Sequence, residues 1–134
     1  MINKIKSLVL LLGVSVNFIS FAQEPEAKTC ELDGDQHQLN MCSGERREQA
    51  DMEMNTLYKE QIKYLRTAPK KRLRDSQRSW IIYRDKTCHY ESGPREESGS
   101  IWPMENNLCL EKLTKQRIEI LKSYIECRAN GCPY

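Results

Sequence analysis

Six cysteines in a short chain constrain this sequence more than any other feature. They stand at Cys30, Cys42, Cys88, Cys109, Cys127 and Cys132 of 134 residues. Whether they are thiols or disulfides depends on the compartment, and the N-terminus speaks to that. It reads MINKIKSLVLLLGVSVNFISFAQEPEAK, with Lys4 and Lys6, a mostly apolar run over 7–19, then Ser20-Phe21-Ala22. The small Ser20 and Ala22, at −3 and −1, predict a secretory signal peptide, residues 1–22, cut after Ala22. A membrane anchor needs roughly 20 apolar residues, and this run is shorter and contains Asn17. No cysteine stands directly after the cut, where residue 23 is Gln, which argues against a lipid anchor. The expected protein is periplasmic or secreted, with no membrane insertion after cleavage.

In that compartment an even number of cysteines reads as three disulfides. A metal site is the rival, but there is no C-x-x-C pair, and His37 and His89 are not at ligand spacing. No metal and no cofactor are expected. Residues 23–134 are read as one small domain with a disordered lead-in over 23–29. The leader removes Lys4 and Lys6, so the remaining chain carries 19 basic and 19 acidic residues. That neutrality speaks against a nucleic-acid partner and against long-range steering toward a strongly charged one.

Apolar spacing predicts an all-α fold. Over 43–66, Ala50, Met54, Leu57, Tyr58, Gln61 and Leu65 recur at helical spacing. Thr67-Ala68-Pro69 breaks this helix, and Pro69 fits the first turn of a second over 69–90. Its inward face is Leu73, Gln77, Trp80, Ile81, Arg84 and Cys88. Its first turns carry Lys70, Lys71, Arg72 and Arg74, which oppose the helix dipole. They read as a solvated face or as a contact for an acidic partner. Residues 91–103, ESGPREESGSIWP, read as a loop. A third helix over 104–126 places Met104, Leu108, Leu113, Arg117, Ile120, Leu121 and Tyr124 on one stripe. Short connections make this a small, disulfide-stapled, antiparallel three-helix bundle. Six cysteines allow fifteen connectivities. Antiparallel neighbours suggest Cys88–Cys109 across the loop, with Cys30–Cys42 and Cys127–Cys132 as local rings.

Residues 76–88, SQRSWIIYRDKTC, are the densest candidate cluster. An inward Arg84 needs a partner, because an unpaired buried charge is costly; Asp51, Glu53, Glu111 and Glu119 are available. The cluster reads first as a structural node and second as a binding cleft. Catalysis is not expected. Cys88 and His89 are adjacent, so on a helix they point about 100° apart. Asp33-Gly34-Asp35 lacks calcium-loop periodicity, and no phosphate loop or nucleophile elbow occurs.

Three stretches together carry a family resemblance. They are A-D-x-x-x-N-x-x-Y from Ala50, Q-R-x-W-I-x-Y-R-D-x-x-C from Gln77, and C-x-x-x-L-T-x-x-R from Cys109. With QLNMC before them, the chain resembles the lysozyme inhibitor LprI-like family over residues 30–121. The matching positions are Asp51, Asn55, Tyr58, Gln77, Trp80, Arg84, Asp85, Cys88, Cys109, Leu113, Thr114 and Arg117. Ser98-Gly99-Ser100 departs from the family's Gly-Gly-Ser, and the CRANGC tail lies outside the pattern. The resemblance implies a bacterial envelope protein that binds, and by the family name inhibits, a lysozyme. The alternative is a non-inhibitory periplasmic structural or regulatory module that binds another envelope protein. For the first, residues 91–103 offer Arg95, Ser98, Ser100 and Trp102 as the binding loop, since Trp and Arg dominate binding hot spots.

Overall fold

The computed structural model describes residue 30 and residues 32–132. The expected signal peptide and the lead-in over 23–29 lie outside the described residues. The described chain is helical, with no strand among these residues. Helix α1 spans Gln36–Tyr64, α2 Thr67–Ser92, the short α3 Arg95–Ser98 and α4 Trp102–Glu126. A 3₁₀ turn, Gly99–Ile101, links α3 to α4, and another, Cys127–Asn130, follows α4.

Helix α1 begins earlier than its apolar pattern predicts, at Gln36 rather than near residue 43. The signal is a cap. The Asp35 carboxylate accepts from the Gln38 backbone N–H, and the Gln38 side chain accepts from the Asp35 N–H, both at 2.9 Å. Gly34 precedes it at φ +113°, where a Cβ would run into the Gln38 amide. Gly44 lies inside the helix, facing Asn107 of α4. Glycine costs a helix interior about 1 kcal/mol, and the buried Cys42 and Ser43 beside it anchor this turn.

Helix α2 starts at Thr67 without a side-chain cap and ends at Gly93, φ +68°. The segment predicted as a loop over 91–103 is mostly helical. Ser98 donates to the Pro94 carbonyl (2.8 Å) and closes the single turn of α3. Pro103 sits in the first turn of α4, where its missing N–H costs nothing.

Cross-helix contacts fix the topology. Arg46–Glu111, Glu53–Lys122 and Gln61–Arg128 show that α1 and α4 run parallel. Asp51–Arg84, Cys88–Cys109 and Gln77–Arg117 show that α2 runs antiparallel to both. Helix α4 is the central element, packed along α1 and against α2, while α1 and α2 touch each other least. The core joins Ala50, Met54, Leu65, Leu73, Ile118 and Leu121, with Leu57, Tyr58, Ile62, Trp80 and Tyr124 against it. A second, smaller cluster surrounds Cys88, Cys109 and Leu113. Two expected inward positions are corrected. Ile81 and Ile120 are 37% and 41% exposed, whereas Ile118 is buried. The stripe of α4 turns toward α1 as well as α2, which brings Ile118 inside and swings Ile120 out.

The structure pairs Cys30 with Cys42, Cys88 with Cys109 and Cys127 with Cys132. The first holds the start of the described chain to α1, the second joins α2 to α4, and the third closes the terminal turn.

Candidate functional site

Two groups of polar residues stand out, one across the middle of the bundle and one at its α2–α4 end. The first is built by α1, α2 and α4 together. Arg84 on α2 has a side chain only 12% exposed and donates through Nη1 to Asp51 Oδ1 (2.8 Å) and to the Thr114 hydroxyl (3.1 Å). Thr114 is fully buried. Asp51 also receives Arg47 from one turn earlier on α1 (3.5 Å), and Asp85 pairs with Arg84 from the exposed side (2.9 Å). Of the four carboxylates available to Arg84, Asp51 is therefore the interhelical partner.

Trp80 lies against two guanidinium groups. The Arg84 carbon is 5.3 Å from the centroid of its ring and that of Arg117 is 5.8 Å, within cation–π range. Arg117 is buried, and its Nε donates to Gln77 Oε1 (2.9 Å), while the Gln77 amide reaches Met54 Sδ (3.4 Å). Burial pulls the Arg117 pKa below the ordinary arginine value, and Tyr124 offsets part of that effect. Among the described residues, Arg117 Nη2 is buried without a hydrogen-bond partner. This seam ties three helices through Asp51, Gln77, Arg84, Thr114 and Arg117 around Trp80. It presents no nucleophile–base pair; Cys88, at its end, is fully buried and disulfide-bonded. Tyr58 packs against the core, and Asn55 faces solvent, apart from the seam.

Glu111, which the sequence offered only as a partner for Arg84, instead forms a separate carboxylate site beside the seam. Glu111 on α4 is buried and accepts from Arg46 of α1 (3.0 Å) and Lys115 (2.6 Å). Burial works against its charge, but the bonds from Lys115 and Arg46 outweigh it, and the carboxyl titrates below the ordinary glutamate value. The available signal was spacing: Glu111, Thr114 and Arg117 lie three residues apart on α4. Asp35, within the Asp-Gly-Asp segment, is the α1 cap. Among the described residues no cluster of three or more His, Cys, Asp or Glu side chains is placed to hold a metal ion.

The second group is the turn over 93–102. Trp102 is half-buried, and its indole N–H donates to the Gly93 carbonyl (2.9 Å). Arg95 stands over the Trp102 ring, 5.6 Å from its centroid. The Ser98 hydroxyl reaches the Ser92 and Pro94 carbonyls, and Asn40 of α1 donates to the Ser100 carbonyl (3.0 Å). The four expected binding residues therefore lie together but differ in availability. Arg95 and Ser100 are exposed, whereas the Ser98 hydroxyl and the Trp102 N–H are engaged in holding the turn. Glu96 and Glu97 are exposed beside Arg95.

The model of the family described as lysozyme inhibitor LprI matches residues 28–121. An uncharacterized protein of Rhizobium meliloti (strain 1021) is 31% identical over 122 residues, covering 81% of this chain and 86% of that protein. No solved structure matches the chain. The chain belongs to the lysozyme inhibitor LprI family.

Proposed function

We propose that this is an exported envelope protein, not an enzyme, that binds a lysozyme and inhibits it through the turn over residues 93–102. Family membership supports the class of target. The observation that supports the site is the fastening of that turn at Gly93, Ser98, Ser100 and Trp102. A segment already held in one shape loses less conformational freedom on binding. Arg95 is the projecting group, steadied by the Trp102 ring. Lysozyme's cleft presents two catalytic carboxylates, and a guanidinium is the side chain that pairs best with a carboxylate. The exposed Glu96 and Glu97 supply local attraction for a basic lysozyme.

The second reading, a non-inhibitory module that binds another envelope protein, draws on the outer face of α2. There Ile82, Tyr83 and Tyr90 are 57%, 57% and 88% exposed.

The test is lysozyme activity on cell-wall substrate, titrated with the oxidised protein at physiological salt. Saturable inhibition near one-to-one stoichiometry is expected. Arg95→Ala should weaken inhibition at least tenfold with an unchanged melting temperature, because Arg95 holds up no part of the core. An unchanged inhibition curve for Arg95→Ala would reject the turn as the site. No inhibition of any lysozyme type would reject the inhibitor reading itself. Loss of partner capture on Ile82→Ser/Tyr83→Ser alone would favour the α2 face.

A further inference from the structure

The end of the bundle opposite the 93–102 turn is built from the α1–α2 connection. Its sequence, residues 63–74, is KYLRTAPKKRLR, six cations without one acidic residue. Lys63, Arg66, Lys71, Arg72 and Arg74 are exposed and Lys70 is partly so; Arg78 adds a seventh cation one turn further. Among the described residues, Lys71 alone of these cations is ion-paired, to Asp75 (2.8 Å). On α2, Lys70, Lys71 and Arg72 follow one another at about 100° steps, so the charges surround a convex end instead of lining one groove.

Apolar groups sit among these cations. Tyr64 is 57% exposed, with Arg128 over its ring. A cleft of about 290 Å³ opens at this end of the bundle. Leu65, Pro69 and Leu73 line it together with Arg72 and Ser76. The sequence also places the burden on function: cations in the first turns of α2 oppose the helix dipole, and no side-chain cap offsets that.

We propose that this end docks on a membrane surface rich in anionic phospholipid. Surrounding cations suit a flat layer of phosphates, each contributing where it lies near the surface. An exposed tyrosine and an apolar-lined cleft suit the boundary between headgroups and acyl chains, and a purely ionic polymer would need neither. Docking here is peripheral: no helix among the described residues is long and apolar enough to cross a membrane. It also leaves the 93–102 turn pointing away from the bilayer. The proposal does not depend on lysozyme binding, because the two surfaces lie at opposite ends of α2.

The experiment is co-sedimentation of the oxidised protein with phosphatidylglycerol–phosphatidylcholine vesicles and with pure phosphatidylcholine vesicles, at low and physiological salt. The expected result is partition into the anionic vesicles only, weakening as salt rises. Lys70→Gln/Arg72→Gln/Arg74→Gln should lower that partition about tenfold or more, with an unchanged far-UV circular dichroism spectrum. Glu96→Gln/Glu97→Gln, at the other end, should leave it unchanged. Equal partition into neutral vesicles, or undiminished binding of the triple variant, overturns the proposal. Binding to soluble polyglutamate without binding to vesicles also overturns it and assigns the surface to an acidic protein.

Discussion

Glu111→Gln isolates one buried charge and tests whether it helps to hold α1 against α4. The side chain is 5% exposed and receives Arg46 and Lys115, whose side chains are 34% and 62% exposed. Hydrogen bonds to a charged group contribute about 1.5–3 kcal/mol. Breaking a fully buried pair costs about 3–5 kcal/mol, but both cations here can turn to water. Glutamine also keeps the shape and one acceptor. The expected loss at pH 7 is therefore about 1.5–3 kcal/mol, read as the shift in urea unfolding at constant slope. The pH dependence sharpens the test. The folded pKa lies below the ordinary value of 4.5, so the stabilisation is full above that value. It is lost as pH falls through the folded pKa, when the wild-type carboxyl takes up its proton. Other carboxylates titrate in both proteins and cancel in the difference. The gap between wild type and Glu111→Gln should accordingly shrink toward zero in acid. A gap that is the same at pH 7 and well below pH 4 would refute the electrostatic account and leave only a difference in packing.

Two further substitutions probe the rest of the frame. Trp80→Ala should cost about 2–3 kcal/mol, below the usual range for a fully buried aromatic because the indole is half-buried; denaturant unfolding that moves by less than 1 kcal/mol would show that it fills no core space. Removing the α2–α4 link by Cys88→Ser/Cys109→Ser releases cysteines 21 residues apart, and should lower stability by about 3 kcal/mol on the chain-entropy scale, measured by thermal unfolding against the oxidised wild type.

The helices were legible because periodic apolar residues also had to be the buried ones. Ala50, Met54, Leu65, Leu73, Leu113 and Leu121 all lie inside. Boundaries were less legible where they depend on side-chain bonds with no apolar signature. The Asp35–Gln38 cap extends α1 backwards, and the Ser98 and Trp102 bonds fold a Gly- and Pro-rich segment into helical turns. The Arg84 partner narrowed to four carboxylates by sequence, and only the packing angle of the helices selects Asp51. Ile118 and Ile120 lie on opposite flanks of the Arg117–Leu121 stripe of α4, so the direction in which that stripe faces decides which one is covered.

Net charge was the least informative quantity, because it sums groups that the fold keeps apart. The expected neutral chain suggested no steering of a charged partner. In the bundle, the cations of residues 63–74 gather at the α1–α2 end, while Glu91, Glu96, Glu97 and Glu105 lie exposed at the other. Helix α2 has 26 residues between those ends, a rise of about 39 Å. At physiological salt the screening length is about 8 Å, so neither end senses the other. Each acts on its surroundings as a separate local charge, basic at one end and predominantly acidic at the other. A chain with no net charge can therefore attract an anionic surface and a basic protein at once, provided that each approaches its own end.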